Sequence, residues 1–258
     1  MGTVLVIEVD PGAHPAGVDG SSADERMWQT VVAPRMALIE DLRDDPERIT
    51  SLIEHTNVDP AATDAEIREL CAEVREYDFR SAVVVPYHAR LADELLGDHA
   101  NVVVVVGFPY GIQNPAAKRA EVEALQEYAD EFDMVMNRTA FATDDHETVV
   151  EDVAAVNDAV GGKPLKCIIE SPALSAAEIR RAAELVERGG ADIVKTAVGY
   201  DGATNPAEVR AIRESVSDET GVKASGGISD FEAALEMVEA GATHLGASSG
   251  VDIVDSIE

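Results

Sequence analysis

Five lysines occur in 258 residues, at positions 118, 163, 166, 195 and 223, and two of them close short apolar runs. Ile193-Val194-Lys195 and Gly221-Val222-Lys223 are each followed by small residues and glycine, with one helical segment between them. A charged amine at the end of a buried strand is costly unless something uses it. A single strand-end lysine reads equally well as a side chain reaching solvent. A matched pair on adjacent strands points to a nucleophilic amine, because a second cation lowers its neighbour's pKa and frees the lone pair.

The other residues able to do chemistry gather at the ends of the strand-like runs. Asp133 interrupts Phe132 to Met136, a stretch otherwise apolar. A lone carboxylate there needs a partner. That partner is either a lysine in a structural ion pair or the same lysine tuned for proton transfer. Glu54, Thr56, Glu170 and Thr196 fall at equivalent strand ends and form a candidate polar network. His55 reads as a base or as a structural histidine. His88, His99 and His146 lack ligand spacing, so no metal site is expected. No nucleophilic serine or cysteine motif is present. Gly226-Gly227 and the run from Gly246 through Ser248 and Ser249 follow the last two strand-like runs. Glycines there let backbone N–H groups approach an anion, and the serines add hydroxyl donors. Either loop alone is also an ordinary glycine turn; together they suit a phosphorylated substrate.

Positioning these residues requires regular alternation of strand and helix. Strand-like runs are expected at Ile49–Thr56, Ser81–Val85, Val102–Gly107, Phe132–Asn137, Leu165–Glu170, Asp192–Lys195, Gly221–Ala224 and His244–Gly246, with helical patterns between them. Thr63 to Glu66 and Ser175 to Glu178 have the form of capping boxes. The runs are continuously apolar, as in parallel strands buried on both faces. Eight of them predict a single α/β chain folded as a TIM (β/α)8 barrel, with the polar ends on one face. A doubly wound open sheet is the alternative, and it lacks the glycine-rich turn expected after its first strand. Met36 opens a regular pattern, Met36 to Arg43, after a loop-like stretch rich in Gly, Pro, Ser and Asp. The barrel domain is therefore expected over residues 36–258. Residues 1–35 then form an extension of uncertain order, or supply a short extra strand from Val4 to Val9.

Composition narrows the function classes. Fifty acidic against 20 basic residues give a net charge of −30, spread along the whole chain. Such a chain repels nucleic acid and acidic membranes. Few lysines among many Asp, Glu, Ala and Val suit high salt, where ions screen self-repulsion. No run is long enough to span a membrane and no signal peptide is evident, which predicts a cytoplasmic protein. Cys71 and Cys167 are expected as buried free thiols.

From about Ile53 to Val254 the chain resembles the deoxyribose-phosphate aldolase family, class I enzymes on a TIM barrel. The motifs that carry the resemblance are Glu54-His-Thr, Val106-Gly-Phe-Pro-Tyr-Gly followed by Lys118 and Glu121, Asp133-Met-Val-Met-Asn, Lys166-Cys-Ile-Ile-Glu, Val194-Lys-Thr with Gly199, Val222-Lys-Ala-Ser-Gly-Gly-Ile, and Gly246-Ala-Ser-Ser-Gly. The resemblance implies Lys195 as the Schiff-base lysine, Lys223 as the lysine that lowers its pKa, and Asp133 as acid/base partner in a relay with water. It implies substrate and phosphate binding by Gly199, Gly226, Gly227, Gly246, Ser248 and Ser249. The implied reaction is reversible cleavage of 2-deoxy-D-ribose 5-phosphate to D-glyceraldehyde 3-phosphate and acetaldehyde, with no metal or organic cofactor. The partners are then small sugar phosphates and aldehydes, and the assembly a homodimer or homotetramer. The residues support this chemistry independently, since a neutral amine adds to a carbonyl and the iminium draws the electrons of the breaking C–C bond. The chain departs from the family pattern at Glu54 (usually Asp), Ala197-Val198, Tyr200, Ser229 and Val83 or Val84. The rival readings are another class I aldolase acting on a different sugar phosphate, and a silent barrel that senses one.

Overall fold

Five consecutive valines, Val102–Val106, show why the strands carry no polar face. Val102, Val104 and Val106 pack into the main core, while Val103 and Val105 join a separate inner cluster with Val83. Both faces of the strand are dry, so both parities must be apolar.

The computed structural model describes residues 33–200 and 202–257. Its strands are β1 (Ile53–Asn57), β2 (Ser81–Val84), β3 (Asn101–Val106), β4 (Glu131–Val135), β5 (Leu165–Ile168), β6 (Ile193–Lys195), β7 (Gly221–Ser225) and β8 (His244–Ala247). They form a closed barrel in chain order, with β1 paired to both β2 and β8. Every pairing is parallel. The helices are α1 (Ala33–Asp44), α2 (Asp64–Glu76), α3 (Ala89–Leu96), α4 (Pro115–Leu125), α5 (Arg138–Ala142), α6 (His146–Val160), α7 (Ala176–Arg188), α8 (Pro206–Arg213), α9 (Phe231–Ala240) and α10 (Gly250–Asp255). This is the expected TIM barrel. Among the described residues no helix is long and apolar enough to cross a membrane.

Local chemistry explains the helices. Thr63 and Glu66 satisfy each other's backbone N–H at the start of α2, as do Ser175 and Glu178 at the start of α7. Such caps are each worth about 1 kcal/mol. On α2 the buried residues Ile67, Leu70, Cys71 and Val74 recur at helical spacing and cover the barrel. Cys71 and Cys167 are buried free thiols, as expected.

The expected first strand, Ile49–Thr56, begins too early. Pro46–Leu52 is a 3-10 helix, with Pro46 in its first turn, where its missing N–H costs nothing. The strand starts at Ile53. Helix α5 was not expected; Asn137 creates it by accepting a hydrogen bond from the Ala140 N–H. Two helices end before their sequence patterns do: α4 stops at Leu125 where the pattern runs Pro115–Ala129, and α8 at Arg213 where it runs Asn205–Ser217. Helix α1 contains the expected Met36 to Arg43. That helix opens at Ala33, three residues before the expected start of the barrel domain, and the rest of the expected extension, with its alternative strand Val4 to Val9, lies outside the described residues.

Candidate active site

Strand parity builds the site. On β1, β4, β5, β6 and β7 the outward residues His55, Phe132, Met134, Cys167, Val194, Val222 and Ala224 are buried beneath the helices, apolar apart from His55. The alternate positions hold Glu54, Glu131, Asp133, Lys166, Lys195 and Lys223, all buried. Three cations and three carboxylates thus meet inside the barrel. Lys195 and Lys223 are register partners on β6 and β7, and Asp133 and Lys166 on β4 and β5.

Asp133 is the hub. Its Oδ2 accepts hydrogen bonds of 2.7 Å from Lys195 Nζ and 2.7 Å from Lys223 Nζ. Its Oδ1 lies 3.0 Å from Lys166 Nζ. Lys223 also donates to Glu54 Oε2. Lys166 lies 2.6 Å from Glu131 Oε2 and 3.5 Å from Glu54. Arg80, 36% exposed, closes the lower side at 3.5 Å from Glu131 and 3.9 Å from Glu54. Lone buried charges cost several kcal/mol each, so this balance is a condition for the fold as well as for any chemistry.

The environment separates these groups by function. Burial lowers the pKa of Lys195 to about 8; Asp133 opposes that shift and Lys223 adds to it. Desolvation, rather than the second lysine expected from the sequence, is the larger cause. Burial also works against ionisation of Asp133, but Lys166, Lys195 and Lys223 hold its carboxyl well below the usual carboxylate range. Burial opposes the charge on Lys166 too, yet Asp133, Glu54 and Glu131 raise its pKa. One amine is therefore available as a neutral base and nucleophile near pH 8, beside a permanent carboxylate. At the lower end of the barrel, burial pushes His244 down to about 4. That imidazole is neutral at working pH.

Lys195 opens into a cavity of about 660 Å³. Gly199, Gly226, Gly227, Gly246, Ser248 and Ser249 all line it, as does Thr56. Gly226 and Gly227 have φ of 97° and 77°, a conformation that lets the backbone itself form the wall. Lys195 is the sole Lys or Arg among the described lining residues, while Asp59, Glu66, Glu69 and Glu73 also line the cavity.

Other expected site residues have supporting places. Glu170 accepts a 2.9 Å hydrogen bond from the Val198 N–H and so fixes the loop after β6. Thr196 bonds the Ser225 N–H at 2.9 Å and Ser225 carbonyl at 3.1 Å, tying β6 to β7. Thr56 donates to the Glu54 carbonyl at 2.9 Å. His55 points outward, 2.7 Å from Glu73. Lys118 is buried, 2.5 Å from Asp152 and 2.8 Å from the Val135 carbonyl, and Glu121 holds the Gly107 N–H at 2.8 Å. Lys118 thereby ties α4 to the end of β4, and Glu121 braces the loop carrying Phe108. In that loop Gly111 has φ of 68°, and a Cβ there would collide with the Met136 carbonyl. Lys166, Glu131 and Arg80 were not expected in the site. For Glu131 and Lys166 the signal was parity: Glu131 shares a strand face with Asp133, and Lys166 is two residues from inward Ile168.

A family model described as DeoC/LacD family aldolase matches residues 36–256. The chain belongs to the DeoC/LacD aldolase family. Within that family, a deoxyribose-phosphate aldolase of Methanothermobacter thermautotrophicus is 45% identical over 213 residues, 81% of this chain and 95% of the relative. Deoxyribose-phosphate aldolase 1 of Bacillus licheniformis is 43% identical over 215 residues, 82% of this chain and 96% of the relative. The tetrameric deoxyribose phosphate aldolase of Aeropyrum pernix superposes with a TM-score of 0.79 at 30% identity, covering 86% of this chain and 96% of that one. The DeoC/LacD match leaves only the first 35 and last two residues outside it.

Proposed function

We propose that this chain catalyses the reversible retro-aldol cleavage of 2-deoxy-D-ribose 5-phosphate to D-glyceraldehyde 3-phosphate and acetaldehyde. The observation that carries the reading is the Lys195 amine, its pKa lowered to about 8, hydrogen-bonded at 2.7 Å to an Asp133 carboxylate shared with Lys223. The names of the relatives supply the substrate.

The geometry supports the following roles. Neutral Lys195 adds to the C1 aldehyde of the open-chain sugar, and loss of water leaves an iminium. Asp133, acting through water, takes the proton from the C3 hydroxyl. The C2–C3 bond breaks, its electrons enter the iminium to give an enamine, and the aldehyde triose leaves. Protonation of the enamine carbon and addition of water then release acetaldehyde and the free amine. Lys223 holds Asp133 and adds positive charge beside Lys195, and Glu54 holds Lys223. The glycine and serine loops of β6, β7 and β8 take the phosphate through backbone N–H groups and hydroxyls.

Incubation with acetaldehyde and borohydride is expected to leave a stable N-ethyl group on Lys195. Absence of that adduct, with full activity retained in Lys195→Ala, would sink the reading. A second reading, a class I aldolase for a different sugar phosphate, is favoured by the lining: Ala197, Val198, Tyr200 and Ser229, where the chain departs from the family pattern, bring no cation to the cavity. Retro-aldol rates on deoxyribose 5-phosphate, unphosphorylated deoxyribose and longer sugar phosphates separate the two. The reading includes a cytoplasmic, salt-adapted enzyme. It also includes self-association, in keeping with the tetrameric relative, and light scattering tests that point.

A further inference from the structure

Tyr200 is unused by the chemistry above. It follows Gly199, whose φ of 96° turns the chain away from the line of β6. Its ring is 51% exposed and meets the Phe108 ring edge-on, with 5.6 Å between centroids. Its hydroxyl donates a 2.7 Å hydrogen bond to the Val58 carbonyl. One side chain thereby ties the loops after β6, β1 and β3 together, and Tyr200, Val58 and Phe108 line the same cavity as Lys195. Burial, aided by Asp59 and Tyr110, raises the phenol pKa, so the donor persists across neutral and mildly alkaline pH.

We infer that Tyr200 sets the size of aldehyde acceptor the site takes: tied to Val58 and braced on Phe108, its ring closes the cavity beyond the acceptor's far end. The inference rests on the aldolase reading above. In that reading the acceptor lies between Lys195 and the glycine loops, and Gly199 puts Tyr200 directly beside those loops. A longer acceptor must displace the ring. Because the ring is held at two points on two other loops, displacement loses the hydrogen bond and the edge-to-face contact together. A ring held by one contact alone would yield more readily.

The test compares additions of acetaldehyde to two unphosphorylated acceptors that differ only in length, propanal and octanal. In Tyr200→Ala the ratio of kcat/KM for octanal to that for propanal is expected to rise about tenfold or more, within the range that one pocket side chain controls. In Tyr200→Phe, which keeps the ring and drops only the tie to Val58, the ratio should rise about threefold. A ratio unchanged within about twofold in Tyr200→Ala, with both reactions slowed alike, overturns the inference, since a purely structural residue slows both equally. Should Tyr200→Ala fail to fold, Tyr200→Phe carries the decision, and an unchanged ratio there overturns it. Borohydride trapping of acetaldehyde on Lys195, run on each variant, keeps the two readings apart. Loss of trapping in the wild type defeats the aldolase reading itself. Intact trapping with an unchanged ratio defeats only the role of Tyr200.

Discussion

Lys166 occupies the opposite side of Asp133 from the candidate nucleophile, with its Nζ 3.0 Å from Oδ1. It is the cation shared by all three carboxylates of the interior, and it lies too deep to line the cavity. Lys166→Met should leave Asp133, Glu54 and Glu131 short of a partner. The expected loss is about 3–5 kcal/mol, the cost of breaking a buried pair from one side. Urea denaturation measures it. The double variant Lys166→Met, Glu131→Gln should regain part of that loss, and a loss under about 1 kcal/mol for the single variant contradicts the assignment.

The rate of imine formation should follow the free amine of Lys195. With a pKa of about 8, protonation withholds the nucleophile below that pH and releases it above. Adduct formation with acetaldehyde is therefore expected to rise close to tenfold per unit of pH below about 8 and to level off above it. Asp133 lies well below the usual carboxylate range, so it should add no second limb between about pH 5 and 7. In Lys223→Met the midpoint should move upward, because the lost cation had been lowering the pKa of Lys195. A midpoint that stays put would remove Lys223 from that role.

Gly246 lies on β8 where a Cβ would overlap Ser225 Oγ and stand 2.9 Å from Lys223 Cε. Gly246→Ala should push Lys223 off Asp133. The expected outcome is a fall in kcat of at least about tenfold, with a stability loss of about 1–3 kcal/mol from overpacking. Stopped-assay kinetics with thermal denaturation of the same sample checks both. Unchanged kcat would mean that the lysine has slack the structure does not show.

Salt should stabilise the fold. At −30 the chain repels itself, and solvent screens exposed pairs such as Arg90–Glu94 at 2.8 Å too strongly for them to offset that repulsion. Raising ionic strength from 0.1 M to 1 M shortens the screening length from about 10 Å to about 3 Å. The melting temperature in potassium chloride should climb over that range. A flat or falling melting curve would refute salt adaptation.

Much of the barrel was legible because burial on both faces forces an apolar strand, and only a strand end can carry a charge toward solvent. That logic located Lys195, Asp133 and the glycine loops. It also concealed the lower half of the polar interior. Lys166 and Glu131 stand near the starts of β5 and β4, where a charged side chain reads as a surface residue. Glu131 also falls just before the expected strand, which begins at Phe132, so its inward parity goes uncounted. Ile49 to Leu52 failed for a related reason: a stretch opening with the β-branched pair Ile49-Thr50 looks extended until Pro46 and the packing of Ile49 turn it into a 3-10 helix. Tyr200 was visible as an oddity, but its bond to Val58 joins residues 142 positions apart and leaves no local trace.

The matched charges inside the barrel also insulate its chemistry from the chain's own exterior. Three lysines and three carboxylates cancel within a few ångströms, so the Lys195 amine is governed by neighbours that bulk ions do not reach. The outer surface can gain acids, as it has here, without retuning the nucleophile. Ionic strength should therefore change how well an anionic substrate approaches this protein and leave the pH midpoint of its amine almost untouched.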